Sequence, residues 1–198
     1  MRASGILVFD TALGPCGLAW SERGIVAAQL PEDDPGETRA RLRARTGGAP
    51  ESDPPPFVQD AREDVIALMQ GVPVDFARTP LDLKRTPAFN RSVYAIARTI
   101  PPGATLTYGD IAQRLGDLSL SRAVGHALGK NPIPIIIPCH RVLAAGAKTG
   151  GFSAPGGVRT KLRMLAIEGA LANDAPTLFD NDGIFGNLSG GTIRLRRS

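Results

Sequence analysis

The stretch Asn131–Val142 reads NPIPIIIPCHRV, and the rest of the chain is organised around it. Ile133, Ile135, Ile136 and Ile137 are β-branched and apolar, which predicts a short extended segment buried on both faces. Pro132, Pro134 and Pro138 fix φ and lack an N–H, so the segment is not a central ladder strand. The expectation is a rigid, buried, extended piece of chain that delivers Cys139 at its end. A cysteine closing an apolar run is by default an inert core residue. The polar pair His140-Arg141 argues against that default, because a core strand would continue apolar or turn. Side chains of neighbours in extended chain point to opposite sides. His140 therefore reaches Cys139 only through a bridging water or after a bend beyond Pro138.

Downstream, LAAGAKTGGFSAPGG (143–157) is a glycine-rich loop suited to a lid or pocket wall, and it lacks the spacing of a phosphate loop. Val158–Ala170 is predicted helical, with Leu162, Leu165 and Ile167 facing inward; Glu168, near its end, reads on its own as a surface acid. Upstream, Gly109–Lys130 predicts two short helices around a turn at Gly116–Ser119, the outline of a helix-turn-helix, with Ser119 or Ser121 as cap of the second helix. That helix has a small face, Ala123, Gly125 and Ala127, and offers mainly Arg122. Base-edge readers normally present Arg, Asn or Gln, so a small face suits close docking in a minor groove without sequence readout. An ordinary helical hairpin fits these residues equally well, and Tyr108 just before them reads as a half-buried turn tyrosine. Further back, Pro87 opens a helix with Phe89, Val93, Tyr94 and Ala97 on one stripe.

The first part of the chain predicts a β-meander from Gly5–Phe9, Cys16–Trp20 and Ile25–Leu30, separated by turn material. A charged helix over Glu37–Arg45 follows, then GGAPESDPPP (47–56), a linker with too little apolar content to pack. Asp60–Met69 is predicted as an amphipathic helix and Val74–Leu83 as a strand or extended return. The reading is thus an α+β protein of two domains. Residues 1–83 form an N-terminal β-meander/α domain. Residues 84–171 form a mainly helical domain with the helix-turn-helix and the cysteine. Residues 172–198 are a tail to which no function is assigned.

The chain has 198 residues and a formal charge of +4 carried almost entirely by arginine, a balance that permits a nucleic-acid partner without requiring one. Cys16 and Cys139 are too few for a disulfide framework, and with His126 and His140 they give no metal-ligand spacing, so neither a metal nor a cofactor is expected. The start lacks a long apolar core and no apolar run reaches membrane length, so the expectation is a soluble, cytoplasmic protein with no membrane partner.

The words NP, the isoleucine run and PCHRV, with RAVG before them and LAIEGA after, closely resemble the O6-alkylguanine-DNA alkyltransferases from about Thr86 to Ala170. The resemblance implies single-use repair of double-stranded DNA by a monomer. Cys139 would take a methyl or other alkyl group from O6 of a damaged guanine and keep it, while O4-alkylthymine is left open. It further implies that His140 acts through a water, oriented by Glu168. Asn131 would stitch the turn before the cysteine, and Arg141 would be structural. Arg122 would fill the stack vacated by a flipped nucleotide, with Ala123 and Gly125 against the minor groove. Tyr108 would lie at the phosphate or donate to the base, and Phe152 and Ser153 would wall the pocket. Phe152 departs from a tyrosine found in some relatives and cannot donate to O6, so backbone N–H groups near Ser153 must do more. The alternatives are a non-catalytic alkyltransferase-like damage binder, against which Cys139 counts, a helix-turn-helix regulator, and a cysteine hydrolase.

Overall fold

The computed structural model describes residues 3–147 and 149–170; the expected tail over 172–198 lies outside them. The meander is present as β1 (Gly5–Thr11), β2 (Gly14–Ser21) and β3 (Gly24–Gln29), antiparallel in the order β1-β2-β3, with a register shift at Ala19/Trp20. Its alternating side chains cover α1 (Pro35–Thr46) on one side, where Leu42 packs with Ile6 and Ala19, and the main core on the other. Asp34 starts α1 by accepting a hydrogen bond from the Glu37 N–H, and Gly47, at φ 74°, ends it.

Three expectations for this domain change. The 47–56 linker packs, because it uses backbone rather than apolar side chains: Ile6 N–H donates to the Pro50 carbonyl at 2.9 Å, and Ala49 is buried. Its last proline opens α2 (Pro56–Met69), one turn earlier than the apolar stripe suggested, since proline is favoured in the first helical turn. The Val74–Leu83 return is not a strand. It makes a 3₁₀ turn at Phe76–Arg78 and then clips β3 through an isolated bridge between Ile25 and Leu81. Gly24 (φ 149°) permits this approach, as a Cβ there would lie 2.5 Å from the Pro80 carbonyl oxygen.

The second domain is built from α3 (Ala88–Arg98), α4 (Tyr108–Arg114), α5 (Ser121–Gly129) and α6 (Gly157–Ile167), with a short parallel pair of β4 (Leu106–Thr107) and β5 (Val142–Leu143). Val93, Tyr94 and Ala97 bury one face of α3, and the Tyr94 hydroxyl donates to the Ala127 carbonyl at 2.8 Å, fixing α3 to α5. Thr107 and Asp110 form a capping box that starts α4, so Tyr108 is its first residue. The second helix is not capped by a serine: Leu120 precedes it without a side-chain bond, Ser121 Oγ donates to Leu118 O, and Asp117 caps the intervening 3₁₀ turn. The inward face of α6 is Lys161, Met164 and Leu165, with Leu162 and Ile167 only half-buried; an aliphatic lysine stem occupies a core position that a hydrophobicity count assigns to leucine. One apolar cluster runs from Leu13 and Trp20 through Val93 and Ile133 to Met164, so the two domains share a core.

Candidate functional site

The Asn131–Pro138 segment is buried as expected but not extended. It winds into a turn in which the Ile137 N–H donates to the Ile133 carbonyl at 2.9 Å, and Ile135 adopts φ 76°. A β-branched residue there costs about 1–3 kcal/mol and persists only where the surroundings over-determine it. They do: the prolines remove ladder donors, and Asn131 bridges the turn. Its Oδ1 accepts from Ile133 N–H at 2.9 Å and its Nδ2 donates to Ile137 O at 2.8 Å. The bend expected after Pro138 is a 3₁₀ turn, Cys139–Arg141.

Cys139 is half-buried and lines a cleft of about 1140 Å³ with Tyr108, Arg122, Gly125, Asn131, Phe152 and Ser153. Ala123, by contrast, is exposed on α5 beside the cleft and does not line it. Gly125 lies under the Tyr108 ring, and Gly150 (φ 68°) passes so close to it that a Cβ would lie 2.9 Å from the phenol oxygen. Ser153 spends its hydroxyl on the Gly129 carbonyl at 2.9 Å, which ties the glycine-rich loop to the end of α5. Burial keeps the Tyr108 phenol above its ordinary pKa, so it remains a donor.

Behind the cysteine, His140 is fully buried and its Nε2 lies 2.9 Å from Glu168 Oε1, while its Nδ1 has no protein partner. Glu168 is not a surface acid. Arg141 forks onto it, Nε to Oε2 at 2.8 Å and Nη2 to Oε1 at 2.8 Å, and Arg141 Nη1 reaches Ile100 O at 2.6 Å. Burial works against ionising Glu168, but His140 and Arg141 outweigh it and bring its pKa down to about 2. Burial lowers His140, so its imidazole is neutral at neutral pH and able to accept a proton. Burial raises the Cys139 thiol, and Asn131 and Lys161 pull the other way.

Lys161 was not singled out in the sequence. It is fully buried, donates to Val142 O at 2.6 Å, and burial lowers its pKa to about 8. Arg41 and Arg45, in the stretch read as a charged helix, line the same cleft from the first domain. Among the described residues no group of three or more His, Cys, Asp or Glu is placed to hold a metal ion, and no helix is long and apolar enough to cross a membrane.

Fold and site together define a helix-turn-helix domain that presents a cysteine in its cleft, with a histidine–glutamate pair packed behind it. The family described as 6-O-methylguanine DNA methyltransferase, DNA binding domain, matches residues 88–170. A methylated-DNA–protein-cysteine methyltransferase of Mycobacterium leprae (strain TN) is 38% identical over 171 residues, covering 86% of this chain and 96% of the relative. One from Methanothermobacter thermautotrophicus is 32% identical over 153 residues, covering 77% and 78%. The solved structure of Mycobacterium tuberculosis OGT in complex with DNA superposes with a TM-score of 0.68 at 34% identity, covering 83% of this chain and 92% of that one. The chain belongs to the methylated-DNA–protein-cysteine methyltransferase family.

Proposed function

We infer that the protein repairs DNA by direct reversal, moving a methyl or other alkyl group from O6 of guanine to its own Cys139. The observation that carries this is a cysteine opening onto a cleft while a neutral, fully buried histidine, held by an ionised Glu168, lies next to it in the chain. His140 takes the thiol proton through a bridging water at Nδ1, the ring nitrogen that Glu168 does not hold. The Cys139 sulfur then attacks the alkyl carbon, the C–O6 bond breaks, and its electron pair goes to the base. The proton released by the thiol balances the one the guanine ring regains. The product is a thioether, whose unactivated C–S bond water does not cleave, so each molecule reacts once.

The reacting atom of a duplex lies inside the stack, and the cleft admits it only as an extruded nucleotide. Arg122, exposed at the first turn of α5, fills the vacated space, while the small residues Ala123 and Gly125 let the helix enter the minor groove. Tyr108, on the cleft wall, donates to the extruded base or its phosphate. Phe152 stacks on the base, and the N–H of Ser153 serves O6, since its hydroxyl is engaged with Gly129. Asn131 keeps the turn closed so that Cys139 faces the base.

One experiment with two variants tests the reading. After incubation with O6-methylguanine duplex, intact mass should rise by about 14 Da on Cys139, and Cys139→Ala should bind DNA without gaining mass. Label on Cys16 would overturn the assignment. Arg122→Ala should lose far more rate on the duplex than on free O6-benzylguanine, because only the duplex must be opened. Equal losses on both substrates would remove Arg122 from the flipping role.

A further inference from the structure

Besides the shared apolar core, the hydrogen bonds from the first domain to the cysteine-bearing turn converge, among the described residues, on one carbonyl. The Pro132 carbonyl accepts from the Ala28 N–H of β3 at 3.0 Å and from Arg45 Nη2 of α1 at 2.9 Å. Arg45 Nη1 is braced at the same time by the Ala28 carbonyl at 2.8 Å and by Gln29 Oε1 at 3.0 Å. Gln29 is itself buried and held by Leu30 O and Glu32 Oε1. All of these partners of Arg45 are uncharged oxygens. Its guanidinium is committed to geometry, with three donors aimed into one corner of the domain junction.

That corner is coupled to the thiol by a short chain of bonds. The peptide whose oxygen Arg45 holds is the one whose N–H, on Ile133, donates to Asn131 Oδ1 at 2.9 Å. The other end of the same carboxamide donates to the Ile137 carbonyl at 2.8 Å, and that carbonyl also accepts from the Cys139 N–H at 2.8 Å. Pro132, Pro134 and Pro138 contribute no donors and Ile135 is held at φ 76°, so the turn has few bonds of its own to hold a strained backbone. The two bonds at the Pro132 carbonyl add to them from the first domain.

We propose that Arg45 is a positioning residue for alkyl transfer, splinting the Pro132–Ile133 peptide from the first domain and, through Asn131 and Ile137, setting where Cys139 points. This rests on the reading of Cys139 as the alkyl acceptor, and wild-type transfer is the reference that tests that reading separately. If wild type takes up no alkyl group, the functional reading falls; if it does, the variants decide the splint. The measured quantity is the rate constant for transfer from free O6-benzylguanine, which needs no duplex opening. Arg45→Met should slow it on the order of a hundredfold, the size that a misplacement of about 1 Å produces. The melt should remain single and cooperative. Arg45→Lys, which can reach one oxygen but not three, should recover part of the rate, and the pH profile of both variants should keep the wild-type midpoint. A shifted midpoint, or full recovery with lysine, would mean that Arg45 acts by charge and would overturn the splint. So would a normal rate in Arg45→Met. Should that variant not fold, Gln29→Leu, which removes one brace and keeps the charge, carries the test: slower transfer supports the proposal and an unchanged rate overturns it.

Discussion

Cys16 and Cys139 are the same residue in two regions of one core, and their surroundings differ in kind. Cys16 lies on β2 opposite Phe9, 1% exposed, with the Thr11 hydroxyl 3.6 Å from its sulfur. Burial drives its pKa up to about 12, and the thiol stays protonated at any physiological pH. Cys139 is also pushed up by burial, but Asn131 and Lys161 oppose it, and it faces a cleft with a neutral histidine next in the chain. Burial alone makes a cysteine inert. What separates the two sites is a set of polar groups held behind the sulfur by hydrogen bonds to backbone oxygens, which a regular sheet has none to spare for.

The comparison can be broken most severely at Glu168. Replacing it by Gln removes the partner of a buried guanidinium, and breaking such a pair costs about 3–5 kcal/mol. Alkyl transfer at neutral pH should fall on the order of ten- to a hundredfold as His140 loses its orienting charge, recovering in part at higher pH where the thiol ionises unaided. Because the folded-state pKa of about 2 lies below the ordinary 4.5, the stability Glu168 contributes is fully present above pH 4.5 and is lost as pH falls toward 2. Denaturant melts of wild type and Glu168→Gln should therefore converge over that window; a constant gap would sink the charge-based account. Normal transfer across roughly pH 6 to 9 would demote Glu168 to a structural acid.

Lys161 offers a smaller and sharper probe. Its folded-state pKa of about 8 lies below the ordinary 10.5, so between those values the unfolded chain binds a proton that the folded one does not. Stability contributed by this group should rise with pH through that window. To exclude the thiol's own titration, Cys139→Ala is compared with Cys139→Ala/Lys161→Met. The first should gain stability from pH 8 to 10.5 and the second should not; parallel curves would return Lys161 to an ordinary salt-exposed state. The smallest effect belongs to the other cysteine. Cys16→Ala should leave the transfer rate untouched and cost about 1 kcal/mol of stability, as is typical of a single substitution. A slowed transfer there would erase the contrast between the two sites.

The meander and the helical hairpin were legible because each is written in a short period, and Cys139 and His140 stand together in one local word; Glu168 entered only through the family resemblance, since on its own it reads as a surface acid. Where reading failed, the deciding interaction was a hydrogen bond to a distant backbone oxygen. Four isoleucines imply extended chain, yet the Asn131 carboxamide and three prolines wind them into a turn with Ile135 at positive φ. The arginines of α1 read only as part of a charged helix, yet Arg45 turns into the domain junction, and its partners Ala28 O and Pro132 O leave no residue-type signature. Lys161 hides in the same way, bonded to Val142 O from within an apolar stripe. Arg141 reads as structural by resemblance, and its partner Glu168 could not be named without knowing that α6 returns to the site.

Gly125 shows what kind of sequence drift the α5 face tolerates. A Cβ built there would lie 3.8 Å from Tyr108 Cε1, ordinary contact distance, so alanine fits while anything longer meets the phenol ring. From behind, Tyr94 rivets the same helix through Ala127, so its placement does not depend on what its front face carries. At position 125 the bound set from within the protein is therefore one of volume, and its limit is the first side chain large enough to displace Tyr108.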